Sequence, residues 1–293
     1  MKRKGIILAG GTGSRLFPLT ISVNKQLLPI YDKPLIYYPL STLMLAGVKD
    51  ILLICSPNDK KKYQNLLHDG SNLGIKISYK IQDKPYGLAH SFILAEEFLN
   101  NSPCILILGD NIFYGNNLIH LLNQANKNRG CTLFGCKVQN PSQFGIVSFY
   151  ASGKPKKIIE KPKKFVSNTA IVGLYFYDQN VVKFAKTLKP SKRGELEITD
   201  LNKIYLKKKM VKIQKLGRGF AWFDTGNNND MLLASNFIST VQNKQNTLIG
   251  SPEEISITKK LINKEKIMNI FDKFKTNQVY LNHLKEAYES SKD

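Results

Sequence analysis

Long apolar runs are missing from this chain. The longest, such as Ile51–Cys55 and Cys104–Leu108, have the length of a strand, far below the roughly 20 residues a bilayer requires. The start, Met1-Lys2-Arg3-Lys4 followed by Gly5–Ala9, has too short an apolar stretch for a signal peptide and runs straight into glycines. Cysteine is scarce too. Cys55, Cys104, Cys131 and Cys136 in 293 residues are no disulfide framework, and no histidine stands at zinc-ligand spacing from them. These absences exclude a membrane partner and predict a reduced, cytoplasmic protein.

Acidic residues are few, 22 against 43 basic ones, giving a formal net charge of +21. Such a balance raises nucleic acid as a partner. Arginine is also rare, with 38 Lys to 5 Arg, and the chain carries 26 Asn. Base and phosphate recognition favours the arginine fork. The lysines are scattered and no aromatic-interleaved patch accompanies them, so the charge reads as a general Lys/Asn bias with some attraction for small anions. No nucleic-acid partner is expected. With 42% hydrophobic residues the chain can build a core, so intrinsic disorder is excluded.

What is present is a rhythm. Gly5–Ala9, Lys49–Cys55, Ile75–Ile81, Pro103–Leu108 and Cys131–Lys137 read as strands buried on both faces. Between them Ile36–Ala46, Asp59–His68, Gly87–Leu99 and Asn116–Asn126 have helical spacing. That alternation predicts an α/β fold, doubly wound around a mostly parallel central sheet. After Gln143 the strands Ile146–Tyr150, Lys156–Glu160 and Ala170–Tyr177 crowd together as in a mixed β region. We expect one main domain over 1–250, with a change of character near residue 140. A helical segment, 251–293, follows the apparent linker Asn243–Gly250.

Three places carry chemistry. Leu8-Ala9-Gly10-Gly11-Thr12-Gly13-Ser14-Arg15 follows the first strand; its glycines let backbone N–H groups approach an anion. It is neither a Walker A loop nor a dinucleotide fingerprint, because Arg15 and Leu16 stand where those motifs need glycine-lysine and glycine. Arg15 and Lys25 could clamp an extended polyanion such as a triphosphate. Asp110, in Gly109-Asp110-Asn111, ends a strand at the sheet edge where open α/β folds bind ligands, and Asp224, in Phe223-Asp224-Thr225-Gly226, is a second such turn. Each alone is as well explained by an Asx-turn; as a pair they suit Mg²⁺. His90 beside Ser91 makes no triad, and Arg193-Gly194-Glu195-Leu196-Glu197 reads as a structural ion-pair cluster.

With these in place, the chain resembles the sugar-phosphate nucleotidylyltransferases, most closely their thymidylyl branch. The match runs through Leu8–Thr20, Lys25-Gln26-Leu27-Leu28-Pro29, Tyr31-Asp32-Lys33-Pro34, Gln82, Tyr86-Gly87-Leu88-Ala89 and Gly109–Gly115. It continues through Gly145, Glu160-Lys161-Pro162, Gly173–Asp178, Arg193–Asp200 and Gly217–Gly226, in order over about residues 4–255. The resemblance implies a Rossmann-like, GT-A-like catalytic domain over 1–250, with a nucleotide-binding part near 1–140 and a sugar-binding part near 141–230. Leu8, Gly10, Gly11 and Gly13 would wrap the nucleotide, and Gln82 and Gly87 would read the base. Arg15 and Lys25 would hold the triphosphate, and Asp110 and Asp224 would bind Mg²⁺. Gly145, Glu160 and Tyr175 would contact the sugar, with Lys161 on its phosphate. The implied reaction joins dTTP and α-D-glucose 1-phosphate into dTDP-glucose, releasing pyrophosphate, at the head of dTDP-rhamnose or other deoxysugar synthesis. The uridylyl version of the same chemistry is the alternative. A homotetramer is implied. So is a second nucleotide site for a dTDP-sugar inhibitor, drawing on Tyr114, Gly115, Arg218, Glu254 and Ile255, with Thr258 where the family commonly has Arg. Asn24 replaces a common Ser and is expected to be neutral.

Overall fold

The computed structural model describes residues 2–11 and 13–292. The strands are β1 (Lys4–Ala9), β2 (Pro29–Ile30), β3 (Lys33–Pro34), β4 (Asp50–Cys55), β5 (Lys76–Ile81), β6 (Cys104–Leu108) and β7 (Asn111–Gly115). They continue with β8 (Cys131–Lys137), β9 (Gly145–Phe149), β10 (Pro155–Glu160), β11 (Thr169–Tyr177), β12 (Val211–Lys215) and β13 (Phe220–Asp224). The helices are α1 (Tyr37–Leu45), α2 (Lys60–Leu67), α3 (His90–Leu94), α4 (Glu96–Leu99), α5 (Leu118–Lys127) and α6 (Val181–Ala185). After them come α7 (Ile198–Lys207), α8 (Asn228–Gln245), α9 (Pro252–Thr258), α10 (Lys264–Lys273) and α11 (Gln278–Ser290).

Among the described residues the main sheet runs β10-β9-β11-β6-β1-β4-β5, with β8 on β11 and β12 on β8. The segment β6-β1-β4-β5 is parallel; β11 enters antiparallel to β6 and β8. Two buried faces explain the apolar runs of β1, β4 and β6, whereas β5, expected to be buried on both faces, is an edge strand with much of its length exposed. Ile7 and Ala9 of β1 and Ile105 and Ile107 of β6 pack with α1, α2 and α5, while Ile6, Leu8, Cys104 and Leu106 pack with α3, α6 and α7. No described helix is long and apolar enough to cross a membrane. The cysteines are free thiols, three of them buried, and burial pushes the Cys104 thiol up to about 12.

Two local expectations change. The helix expected over Gly87–Leu99 is two short ones: Gly87 is held in a loop against Leu196, and the chain turns at Ala95 between α3 and α4. Asn243–Gly250 is no open linker. Its first residues finish α8, Leu248 and Ile249 are buried, and Gly250 sits tightly against Tyr38 of α1. Beyond it, Ile255 joins the core beneath α1, and Ser256 Oγ donates to the carbonyl of Leu73 at 2.9 Å.

Candidate active site

The glycine loop works because two of its residues leave the usual backbone region. Gly11 has φ 106° and Gly13 φ 61°, a left-handed start for the short 3-10 turn Ser14–Leu16 that carries Arg15. Lys25 sits on a second 3-10 turn, Lys25–Leu27. Asn24 is not neutral here. Its Oδ1 accepts from the Gln26 backbone N–H (3.0 Å) and from Tyr63 Oη (2.8 Å), and its Nδ2 donates to Asp59 at 2.8 Å. A serine has no second polar atom to span from the turn to α2, so Asn24 ties the Lys25 turn to the body of the sheet.

The two aspartate turns lie side by side. β13 pairs antiparallel with β7, placing Asp224 opposite Asn111, and both the amide and hydroxyl of Thr225 donate to the Asp110 carbonyl (3.2 and 2.8 Å). Lys25 Nζ donates to Asp110 Oδ2 at 2.6 Å, and Asn111 Nδ2 donates to Oδ1 at 2.9 Å. Burial, with the charge of Asp110 next, pushes the Asp224 carboxyl up to about 6, against the pull of Lys25 and Arg15. A buried carboxylate raised further by a second one nearby is what a divalent cation relieves. Hard oxygen donors in this small number fit an ion that takes its remaining ligands from phosphates and water.

From this pair the cleft opens in two directions. One side, a cavity of 210 Å³, is lined by Gly10, Gly11, Gly13, Arg15, Lys25 and Asp110. Beyond it a cavity of 320 Å³ reaches Gln82, whose Nε2 lies 3.1 Å from His90 Nδ1. Leu8, next to last in β1, lies beside Gly109, whose N–H donates to the Leu8 carbonyl. The other side, 130 Å³, is lined by Gly145, Glu160, Tyr175, Trp222 and Asp224. Tyr175 is 4% exposed, and its burial holds the phenol well above its ordinary range. Lys161 stands apart, exposed and on neither wall, with φ 41° and its N–H on the Phe144 carbonyl.

Sequence reasoning missed three residues. Asn111 is 1% exposed; its Oδ1 accepts from Trp222 Nε1 (2.7 Å) and from the Gly173 N–H (3.1 Å), at the irregular register of β11. Gln26 is 3% exposed and lines the phosphate-side cavity. Thr199 bonds Glu160. The signal for the first two was adjacency to Asp110 and Lys25; for Thr199 it was only its place in the matched segment Arg193–Asp200. The ion-pair reading of Arg193 holds, with Glu197 at 3.0 Å and Glu195 at 3.4 Å.

A separate cavity of 530 Å³ gathers Tyr114, Gly115, Glu254, Ile255, Thr258 and Lys259. Burial pushes the Glu254 carboxyl up to about 7. Arg218 does not line it: it is exposed in the β12–β13 connection, two residues before Phe220, the register partner of Gly115.

A family model described as nucleotidyl transferase matches residues 4–241. A glucose-1-phosphate thymidylyltransferase of Neisseria meningitidis is 51% identical over 276 residues, 94% of this chain and 96% of the relative. One from Mycolicibacterium smegmatis is 49% identical over 253 residues, covering 86% and 88%. Among solved structures, a Bacillus anthracis chain described as a glucose-1-phosphate thymidylyltransferase in complex with sucrose is 37% identical. It superposes with a TM-score of 0.74, covering 80% of this chain and 94% of that one. A UDP-glucose pyrophosphorylase bound to UDP-glucose is 25% identical with a TM-score of 0.71, covering 82% and 99%. By fold, cleft and likeness, the chain belongs to the nucleotidyl transferase family, in the company of the glucose-1-phosphate thymidylyltransferases.

Proposed function

We propose that the protein transfers a thymidylyl group from dTTP to α-D-glucose 1-phosphate, forming dTDP-glucose and pyrophosphate. The observation that carries this is the Asp110–Asp224 pair, flanked by a glycine loop with Lys25 and Arg15 on one side and by a cavity bearing Glu160 and Tyr175 on the other. The relatives' names supply the nucleotide and the sugar. The nucleophile, a phosphate oxygen, is already ionised at neutral pH, so the site needs no general base. Asp110 and Asp224 would hold Mg²⁺, which supplies positive charge at the reacting phosphate when bound. The chain's own residues align the two substrates for in-line displacement, and Lys25 and Arg15 offset the charge gathering on the departing pyrophosphate.

Pyrophosphate release, measured with four nucleotides against several sugar 1-phosphates, tests this reading. Turnover with dTTP and glucose 1-phosphate is expected. Preference over UTP rests largely on one methyl group, about 1–3 kcal/mol, so UTP should be a slow substrate. A strong preference for UTP would refute the thymidylyl assignment. Arg15→Ala should raise KM for dTTP, and Lys161→Ala, one residue past Glu160 and outside the cleft walls, that for glucose 1-phosphate. If Lys161→Ala weakens only dTTP, that division of labour is wrong.

The reading extends to a reduced, cytoplasmic setting, supported by the free thiols, and to a homotetramer, supported by the resemblance. The 530 Å³ cavity would take a dTDP-sugar inhibitor. Lys259 is its only lysine or arginine among the described lining residues, and a lysine grips phosphate without the bidentate fork. Inhibition by dTDP-rhamnose should therefore be weaker than product inhibition by dTDP-glucose, and Thr258→Arg should strengthen it. Tight non-competitive inhibition that Thr258→Arg leaves unchanged would rule this out.

A further inference from the structure

The carboxylate on the sugar-side cavity is held by Thr199, a lining residue to which no role has been given so far. Glu160 Oε2 accepts a 2.5 Å hydrogen bond from Thr199 Oγ1. Thr199 is 2% exposed, in the first turn of α7, and α7 packs along β10. Across the sheet, Gly145 is the register partner of Glu160 in β9. A Cβ at Gly145 would lie 3.2 Å from Glu160 Oε2 and 3.3 Å from Thr199 Oγ1, so a side chain there would press on both atoms of the pair. Glu160 has no other side-chain donor among the described residues. One carboxylate oxygen is thus committed to the protein, and the other is left for a ligand.

We infer that Thr199 is the positioning residue for sugar recognition: it fixes the Glu160 carboxylate so that Oε1 accepts from a hydroxyl of the bound sugar phosphate. The inference rests on the sugar-nucleotide reading of the cleft. A free glutamate loses rotamer freedom when it binds; one already anchored through Oε2 loses less, and it offers its acceptor in one place. Without the anchor, Glu160 can reach the same hydroxyl only by ordering itself at the moment of binding. Thr199 is remote from the nucleotide side, so the loss should fall on the sugar.

Steady-state kinetics of the full chain with Thr199→Val, which keeps the shape and removes the hydroxyl, decide the matter. KM for glucose 1-phosphate should rise about tenfold, while KM for dTTP stays within about twofold and Thr199→Ser restores the wild-type value. Three monodeoxy analogues of glucose 1-phosphate supply a readout that mere loosening would not move. The wild type should discriminate against the analogue lacking the hydroxyl that Glu160 accepts from, and Thr199→Val should lose that discrimination. Thr199→Ala is measured alongside, so that a folding loss in one variant, seen by thermal unfolding, leaves the other to decide. An unchanged KM for glucose 1-phosphate, or an equal rise for both substrates, overturns the inference while leaving the enzymatic reading intact. A wild-type protein that releases no pyrophosphate from this substrate pair overturns both.

Discussion

Asp224→Asn should lower kcat by at least about 10²-fold, the loss typical of removing one preorganised charge from a transition-state site, roughly 3 kcal/mol. The same substitution should raise the melting temperature of the ligand-free protein at pH 7.5. Burial and Asp110 push the Asp224 carboxyl up to about 6, so the folded protein holds this proton more tightly than the unfolded chain does. Stability is therefore lost as pH rises from the ordinary carboxylate range through about 6, and the penalty is fully present above that. Asparagine removes it. The gain should be of order 2 kcal/mol, a few degrees, and should vanish near pH 4. Asp110→Asn should cost similar activity without the gain, because it leaves the Lys25 ammonium, 9% exposed, without its partner at 2.6 Å. Differential scanning calorimetry at two pH values and turnover at saturating Mg²⁺ check both halves. Unchanged turnover of either variant would refute the ligand role; an unstabilised Asp224→Asn would refute the electrostatic account.

Gly87→Ala should be the most damaging conservative change in the loop proposed to read the base. Gly87 has φ 94°, and a Cβ there would meet the Leu196 carbonyl oxygen at 2.4 Å and its nitrogen at 2.6 Å. Neither atom can swing aside, because the Leu196 N–H donates to Tyr86 O (2.8 Å) and its carbonyl accepts from Ala89 N (3.1 Å). Backbone strain of about 1–3 kcal/mol and a clash of similar size should together cost about 3 kcal/mol. KM for dTTP should rise tenfold or more, roughly the effect of displacing a recognition loop by 1 Å. Gly153→Ala is the control: it shares a positive φ, 79°, but nothing lies within 4 Å of its Cβ. It should pay only the strain, about 1 kcal/mol, and bind nucleotide normally. Equal effects of the two variants would show that contact with Leu196 is not what Gly87 serves.

The parts of this protein set by short stretches of chain are visible in the residues alone. Five parallel-type strands, the glycine turn after β1, and the position of Asp110 at a strand end all follow from apolar runs and from glycine's freedom at positive φ, which depend on a few neighbouring residues. Cys131–Lys137 is read to its last residue because both faces of that strand are buried and its ends are marked by turn residues.

Whatever depends on distant segments meeting was decided by the tertiary structure. Asp110 and Asp224 become a pair only because β13 adds to β7, a register that neither strand's sequence specifies. Asn24 acquires its role from Tyr63 and Asp59 on another element, and Thr199 acquires its role from Glu160 across the α7–β10 contact. Asn243–Gly250 looks like a linker by composition, yet Leu248 is buried among the helices that follow and Ile249 against α1 and α8. Composition and periodicity report how a segment meets water and its own backbone. They carry no term for which remote side chain will stand nearby, and at this site burial with Asp110 nearby raises the Asp224 carboxyl, Thr199 bonds Glu160, and Leu196 fixes the space Gly87 must leave empty.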